Sequence, residues 1–344
     1  MRWSGVPGTA FARIDPASIE CTPAGLRDVA ARLPVTTSTL FEAASLSKPV
    51  FAYAVLRLVA HGTLDLDRSL DSYLPASYPI GDPRGTAITA RHVLSHTSGL
   101  PNWRHATSES LSLAFTPGTQ YLYSGEGYYF LQSVVEHITG KPTAQLMRAS
   151  LDELGMRDSS YVWRDADASN CALPYDAAGK PLPHDTALLG HQLIGMGQAR
   201  SKPLADWSTA DALAALPSVR PAIAAVPWNA MPNVAWSLLT TVRDYAGFVQ
   251  TLLKQPNNLM FTPVIQLSDY VWRGLGVALQ KRPGSTAFFH TGANPGFKAA
   301  MFGDFASGRG FVSFANSEGG FPLNMHLLED AVGLQPAILY LEQP

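Results

Sequence analysis

The feature that most constrains this chain is where its strand-like patterning falls. Residues 272–280, 285–290, 297–304 and 309–315 are short apolar runs separated by Gly and Pro turns, the mark of an antiparallel meander. At the opposite end, Gly8 to Asp15 (GTAFARID) alternates apolar and polar residues and reads as one more strand. Between these ends the periodicity is helical. From Ser45 to His61, apolar Val50, Phe51, Ala54, Val55, Leu58 and Val59 recur at i, i+3, i+4 spacing, with Pro49 in the first turns and Gly62 fit to close the helix. Thr89 can cap a segment through His96 that closes in Thr97-Ser98-Gly99, and Gly127 to Thr139 ends at Gly140 and Pro142. Thr143 can cap the next helix, Thr241 another to about Lys254, and a last helix over about 321–333 can pack on the sheet. Residues 156–235 have weak periodicity and read as loops and short helices. A strand first, helices in the middle and strands again predict an α+β fold: an antiparallel sheet drawn from both chain ends and flanked by helices, with a mainly helical domain inserted. The expected boundaries are 1–62 with 240–344 for the sheet domain and 63–239 for the helical domain, whose loops shape the pocket.

Such a fold needs a substantial core, and composition supplies it. Of 344 residues 46% are apolar and only 15% charged, the reverse of a disordered chain. Net charge is −2 and no basic stripe occurs, so nucleic acid is not an expected partner. Cys21 and Cys171 could form one bridge, but two cysteines exclude a disulfide scaffold or a Cys-rich zinc site. No apolar run is long enough to span a membrane, and Met1 to Gly8 carries no export signal, so a cytoplasmic location is expected.

The residues with catalytic potential begin at Ser45-Leu46-Ser47-Lys48. The i, i+3 spacing puts hydroxyl and ammonium on one helix face, where a partly desolvated lysine can serve as base for a serine nucleophile. The helix N-terminus adds positive potential for an oxyanion. A chain this long carries about one S-x-x-K by chance. Of its seven lysines, however, only Lys48 has a serine three residues before it, and Phe41 to Ser45 leads from a β-like run straight into the helix. Other patterns carry less. His92 and His96 are four residues apart, but Val93 stands where H-E-x-x-H needs glutamate, so no metal site is expected. G-x-S-x-G and the phosphate-loop motif are absent. Trp163, Trp207, Trp228, Trp236 and Trp272 read mainly as core or loop-packing residues, with a pocket-lining role as the alternative.

TLFEAASLSK, GTLDLDRSLDSYLP, ITARHVLSHTSGLP, PGTQYLYSGEGYYFLQSVVEHITGKP and FHTGANPGFKA, in this order, resemble the serine β-lactamase/penicillin-binding-protein superfamily. The nearest branch is that of class C β-lactamases, D-Ala-D-Ala carboxypeptidases and family VIII carboxylesterases. The resemblance implies that Ser45 is the nucleophile and that Lys48 and Tyr123 share the base role. It implies that the amides of Ser45 and Ala293 form the oxyanion hole. Tyr123-Ser124-Gly125 matches the family's Y-x-N in the tyrosine only; Gly125 lacks the substrate-contacting amide. His290-Thr291-Gly292 replaces K-T-G, making His290 a weaker, pH-dependent cation and possible proton donor, Thr291 a substrate contact and Gly292 a point of close approach. The family's usual N-terminal helix has no counterpart before the first strand, which leaves more sheet for the C-terminal helix or a partner to cover.

The implied activity is a serine hydrolase working through an acyl-enzyme, foremost a carboxylesterase on small or medium acyl esters, in a monomer or homodimer with no cofactor. The alternatives are a D-amino-acid peptidase or amidase, a weak β-lactamase or an acyltransferase, and a non-catalytic binding protein that kept the fold.

Overall fold

The computed structural model describes residues 5–104, 110–219 and 232–333; Trp228 lies outside them. The strands are β1 (Gly8–Ile14), β2 (Ile19–Asp28), β3 (Leu33–Pro34), β4 (Phe41–Glu42), β5 (Leu239–Thr240), β6 (Ile265–Ser268), β7 (Val271–Arg273), β8 (Ala278–Arg282), β9 (Ser285–Asn294), β10 (Phe297–Asp304) and β11 (Arg309–Ala315). The helices are α1 (Ser47–Ala60), α2 (Ala90–Leu94), α3 (Gly125–Thr139), α4 (Thr143–Glu153), α5 (Asp185–Ala199), α6 (Thr209–Val219), α7 (Val242–Leu253) and α8 (Gly320–Val332).

Nine strands form one antiparallel sheet in the order β3-β2-β1-β11-β10-β9-β8-β7-β6. Strands β1 and β11, from opposite ends of the sequence, pair inside the sheet as its third and fourth strands, where Thr9 opposes Ala315 and Ile14 opposes Gly310. Both faces are covered, and the period-2 alternation assigns side chains to them. Phe288, Met301 and Val312 join the main core with Phe248, Val249 and Leu252 of α7, whereas Phe289, Phe302 and Phe311 pack with Leu328 of α8. Helix α1 is buried from Ser47 through Leu56, which makes it a central rod rather than a surface helix.

The α+β architecture agrees with the sequence reading, with local differences. A 3-10 turn, Ala44–Leu46, precedes α1, so Ser45 lies just before the α-helix. Thr143 is the first helical residue of α4 and Pro142 its cap, because the Thr143 hydroxyl is taken by Glu136. The middle region holds two helices of ordinary length, α5 and α6, and the segment after the first strand, where no element was expected, holds β2. Cys21 and Cys171 are both free thiols. No helix among the described residues is long and apolar enough to cross a membrane.

Candidate active site

Ser45 stands where β4 hands the chain to α1. Ala44, just before it, has φ of +50°, a left-handed conformation that costs a residue with a Cβ on the order of 1–2 kcal/mol. The surrounding bonds hold it there. Ala43 N donates to Leu238 O at 2.8 Å, and β4 pairs with β5. The Ser47 hydroxyl donates to Ala44 O at 2.6 Å and accepts from Leu238 N at 3.0 Å. Tyr245 and Tyr161 donate their hydroxyls to Leu46 O and Ser47 O at 2.8 and 2.7 Å. Ala44, Leu46 and Ser47 are buried, while Ser45 stays partly exposed. Lys48 is 1% exposed; its Nζ lies 3.1 Å from Ser45 Oγ and donates to Ala235 O at 2.8 Å.

The same Nζ sits 4.8 Å from the centroid of the Tyr123 ring. The Ser45–Lys48 pair, from one turn of the chain, thus meets the ring of Tyr123, which comes from a distant segment. Tyr123 is held from behind by His96, whose ring stacks on it at 4.2 Å and 26°. His96 Nδ1 accepts the Ser124 amide at 3.0 Å. Burial drives the His96 pKa well below the usual 6.5, and the charges of Arg273 and Lys48 push it the same way. His96 is thus a neutral support. His92 is spent in the capping box of α2, and no metal-binding cluster occurs among the described residues.

His290 is 1% exposed, with Nδ1 2.7 Å from Thr291 O and Nε2 3.2 Å from Arg273 Nη2. A guanidinium only donates and a carbonyl only accepts, so complementarity puts the proton on Nδ1 and leaves Nε2 an acceptor. The cation at this corner is Arg273, whose Cζ lies 5.8 Å from the Tyr123 ring centroid. This differs from the expectation of a cationic His290. Arg273 was not singled out from the sequence, because a lone arginine on a short strand carries no motif.

Strand β9 forms the opposite wall. Thr291 and Gly292 are buried and Ala293 is partly exposed. A Cβ on Gly292 would lie 2.5 Å from Ala43 O, so β9 runs directly against the turn that carries Ser45. Gly125 is also a point of close approach. A Cβ there would lie 2.3 Å from Cζ2 of Trp103, so the indole occupies the space a side chain at 125 would need. Trp103 meets Trp236 edge to face, with ring centroids 6.4 Å apart. Trp236 follows Ala235, the carbonyl partner of Lys48.

Residues 2–332 match the beta-lactamase family. The chain belongs to the beta-lactamase family. Its structure is similar to a class C beta-lactamase, with a TM-score of 0.75 over 96% of this chain and 92% of that one at 19% identity, a likeness of fold. In sequence it is 36% identical to Esterase EstB of Burkholderia gladioli over 188 residues, 46% of this chain and 47% of that protein. It is 28% identical to the D-alanyl-D-alanine-carboxypeptidase/endopeptidase AmpH of Escherichia coli over 140 residues, 35% of this chain and 36% of that one. The chain thus spans about half or less of the length of these curated relatives.

Two further features of this beta-lactamase-family site escaped the sequence reading. Glu42, three residues before Ser45, is buried; it accepts from Thr186 at 2.6 Å and from the Asn294 side chain, and His184 Nε2 lies 3.5 Å away. It thereby ties the end of β9, beside Ala293, to β4. The second is Trp103. Among the tryptophans singled out, Trp163 and Trp207 are core, Trp272 is half-buried on β7, and Trp236 follows Ala235, whose carbonyl accepts from Lys48.

Proposed function

We propose that this chain is a serine hydrolase that works through an acyl-enzyme, and that its substrates are carboxylic esters of small or medium acids. The observation that carries the reading is the meeting of Ser45 Oγ, Lys48 Nζ and the Tyr123 ring at a partly exposed serine. Ser45 Oγ attacks the carbonyl carbon, and its proton passes to the Lys48–Tyr123 pair. The amides of Ser45 and Ala293 receive the oxyanion, a role supported by the closeness of β9 to the Ser45 turn. The carbon–oxygen bond to the alcohol then breaks and the alcohol leaves with the proton. Water enters by the reverse sequence, and the acid departs from Ser45. Arg273, steadied by His290, supplies positive potential beside Tyr123 as charge moves. Thr291 and Gly292 line the strand along which the substrate lies.

Two things favour an ester over an amide. Gly125 offers no side-chain amide to a substrate peptide group, and EstB, the relative at 36% identity, is an esterase. Side-by-side kcat/KM values for p-nitrophenyl butyrate, nitrocefin and a D-Ala-D-Ala peptide test the reading, with the ester expected to lead. Ser45→Ala should lower ester turnover by about three orders of magnitude or more and abolish the fluorophosphonate adduct seen by intact mass. Full activity in that variant rejects the nucleophile.

A further inference from the structure

Away from the Ser45 cleft, a cavity of about 840 Å³ opens between α4 and the turn that follows α5. Small-molecule sites commonly enclose about 300–1,000 Å³. None of Ser45, Lys48, Tyr123 and Ala293 lines it. The α4 side is held rigidly. Arg148 Nη1 donates to Ser159 O at 2.7 Å, and Nη2 donates to Asp152 Oδ1 at 2.7 Å and to Met156 O at 3.0 Å. Ser160, also in the wall, is tied to β5: its amide donates to Leu239 O at 2.9 Å and its carbonyl accepts from Leu239 N at 2.8 Å. On the facing side Gly197 lets α5 close on the Lys202 turn, where an added Cβ would lie 2.7 Å from Lys202 O.

The floor is apolar. Trp163 and Leu204 are buried there, with Val162 and Ile194 half-buried beside them. These side chains belong to two small apolar clusters apart from the main core, and the space between them is unfilled. The rim is cationic. Arg164 and Lys202 line it with side chains 39% and 44% exposed. No aspartate or glutamate is among the described residues that line the cavity, so Asp167 and Asp211, which pair with these cations, stand outside the wall. Both cations keep donors to spare. Arg164 uses Nε on Asp167 Oδ2 at 2.6 Å and Nη2 on Asp158 O at 2.9 Å, while Lys202 Nζ gives one of its three protons to Asp211 Oδ2 at 2.7 Å. An apolar floor under a cationic rim matches a molecule with an alkyl chain and an anionic head, because the chain leaves water while charge-assisted bonds hold the head. We propose that this cavity is a second ligand site that takes a medium-chain carboxylate, its chain against Val162, Ile194 and Leu204 and its head at Arg164 and Lys202. The site is independent of the ester chemistry at Ser45.

Calorimetric titration of the full chain with decanoate, kept below its micelle concentration, tests the site. The wild type should bind it saturably and about tenfold or more tighter than decanol, which lacks the charge. Butyrate, with six fewer methylenes, should bind about a hundredfold or more weaker than decanoate. Arg164→Gln combined with Lys202→Gln should lower decanoate affinity about tenfold or more and leave decanol affinity unchanged. Ile194→Trp should abolish binding of both by filling the floor, and Ser45→Ala should bind decanoate as the wild type does. No saturable binding, equal affinities for decanol and decanoate, or unaltered decanoate binding in the doubly charge-neutralised variant overturns the site. So does competitive inhibition of p-nitrophenyl acetate turnover at the calorimetric Kd, which puts the acid in the Ser45 cleft. Should Ile194→Trp not fold, the charge variant, altered only at partly exposed side chains, carries the comparison. If no ester is turned over, the titrations still decide the cavity while the ester reading falls.

Discussion

The imidazole of His96 lies beneath Tyr123 with Nδ1 taken by the Ser124 amide, and burial holds its pKa well below 6.5. In the unfolded chain that ring binds a proton near pH 6.5; in the folded chain it does so only at lower pH. The unfolded state thus binds more protons in between, and stability falls as pH drops below about 6.5. The contribution is complete above that pH. His96→Asn keeps an acceptor for the Ser124 amide and removes the titration. The melting temperature of the wild type should therefore decline more steeply from pH 7 to pH 5 than that of the variant. Parallel declines would show that His96 is not the group responsible. Ala44 is a second residue whose role is visible only in place: its positive φ turns the chain so that Ser45 faces outward while Ala44 and Leu46 are buried.

Among the elements, the contact between β9 and the Ser45 turn matters most. Gly292→Ala would set a Cβ 2.5 Å from a backbone oxygen, so strand and turn must separate. We expect kcat/KM for an ester to fall by about a hundredfold or more, because an oxyanion donor acts only at hydrogen-bond distance. A variant of Gly62, where an added Cβ meets nothing within 4 Å but φ is +71°, should instead cost stability and spare turnover. Melting curves beside ester kinetics separate the two. The elements missed in the sequence have identifiable reasons. Helix α5 carries Gly190, Gly195 and Gly197, which lower its helical propensity. Two of these are there for packing: a Cβ on Gly190 would lie 2.3 Å from Trp163 Cγ, and one on Gly197 would lie 2.7 Å from Lys202 O. Strand β2 contains Pro23. Leu26 N bonds back to Pro7 O, so by alternation the nitrogen of Pro23 faces away from β1, where no ladder donor is needed.

For the whole molecule, the pairing of β1 with β11 joins residues about 300 apart and places that closure inside the sheet, between its third and fourth strands. No covalent link assists it, since both cysteines are free. Burial raises the thiol pKa of Cys171 far above its usual value and that of half-buried Cys21 above its own. Dithionitrobenzoate should thus titrate at most one thiol in the native protein, Cys21, and two in guanidinium without reductant. The melting temperature should not respond to reductant. An absence of titratable thiols in the denatured, unreduced chain would instead reveal a bridge. By itself the sequence determined most of the element types, the strands at both ends and the Ser45–Lys48 pair, because each depends on local periodicity or on one turn of a helix. Only the tertiary structure decided that Tyr123 meets Lys48, that Arg273 stands behind His290, that Glu42 ties β4 to β9 and that Trp103 fills the space above Gly125. These contacts join segments 17 to 252 residues apart, and tertiary packing, which no local pattern encodes, sets their geometry.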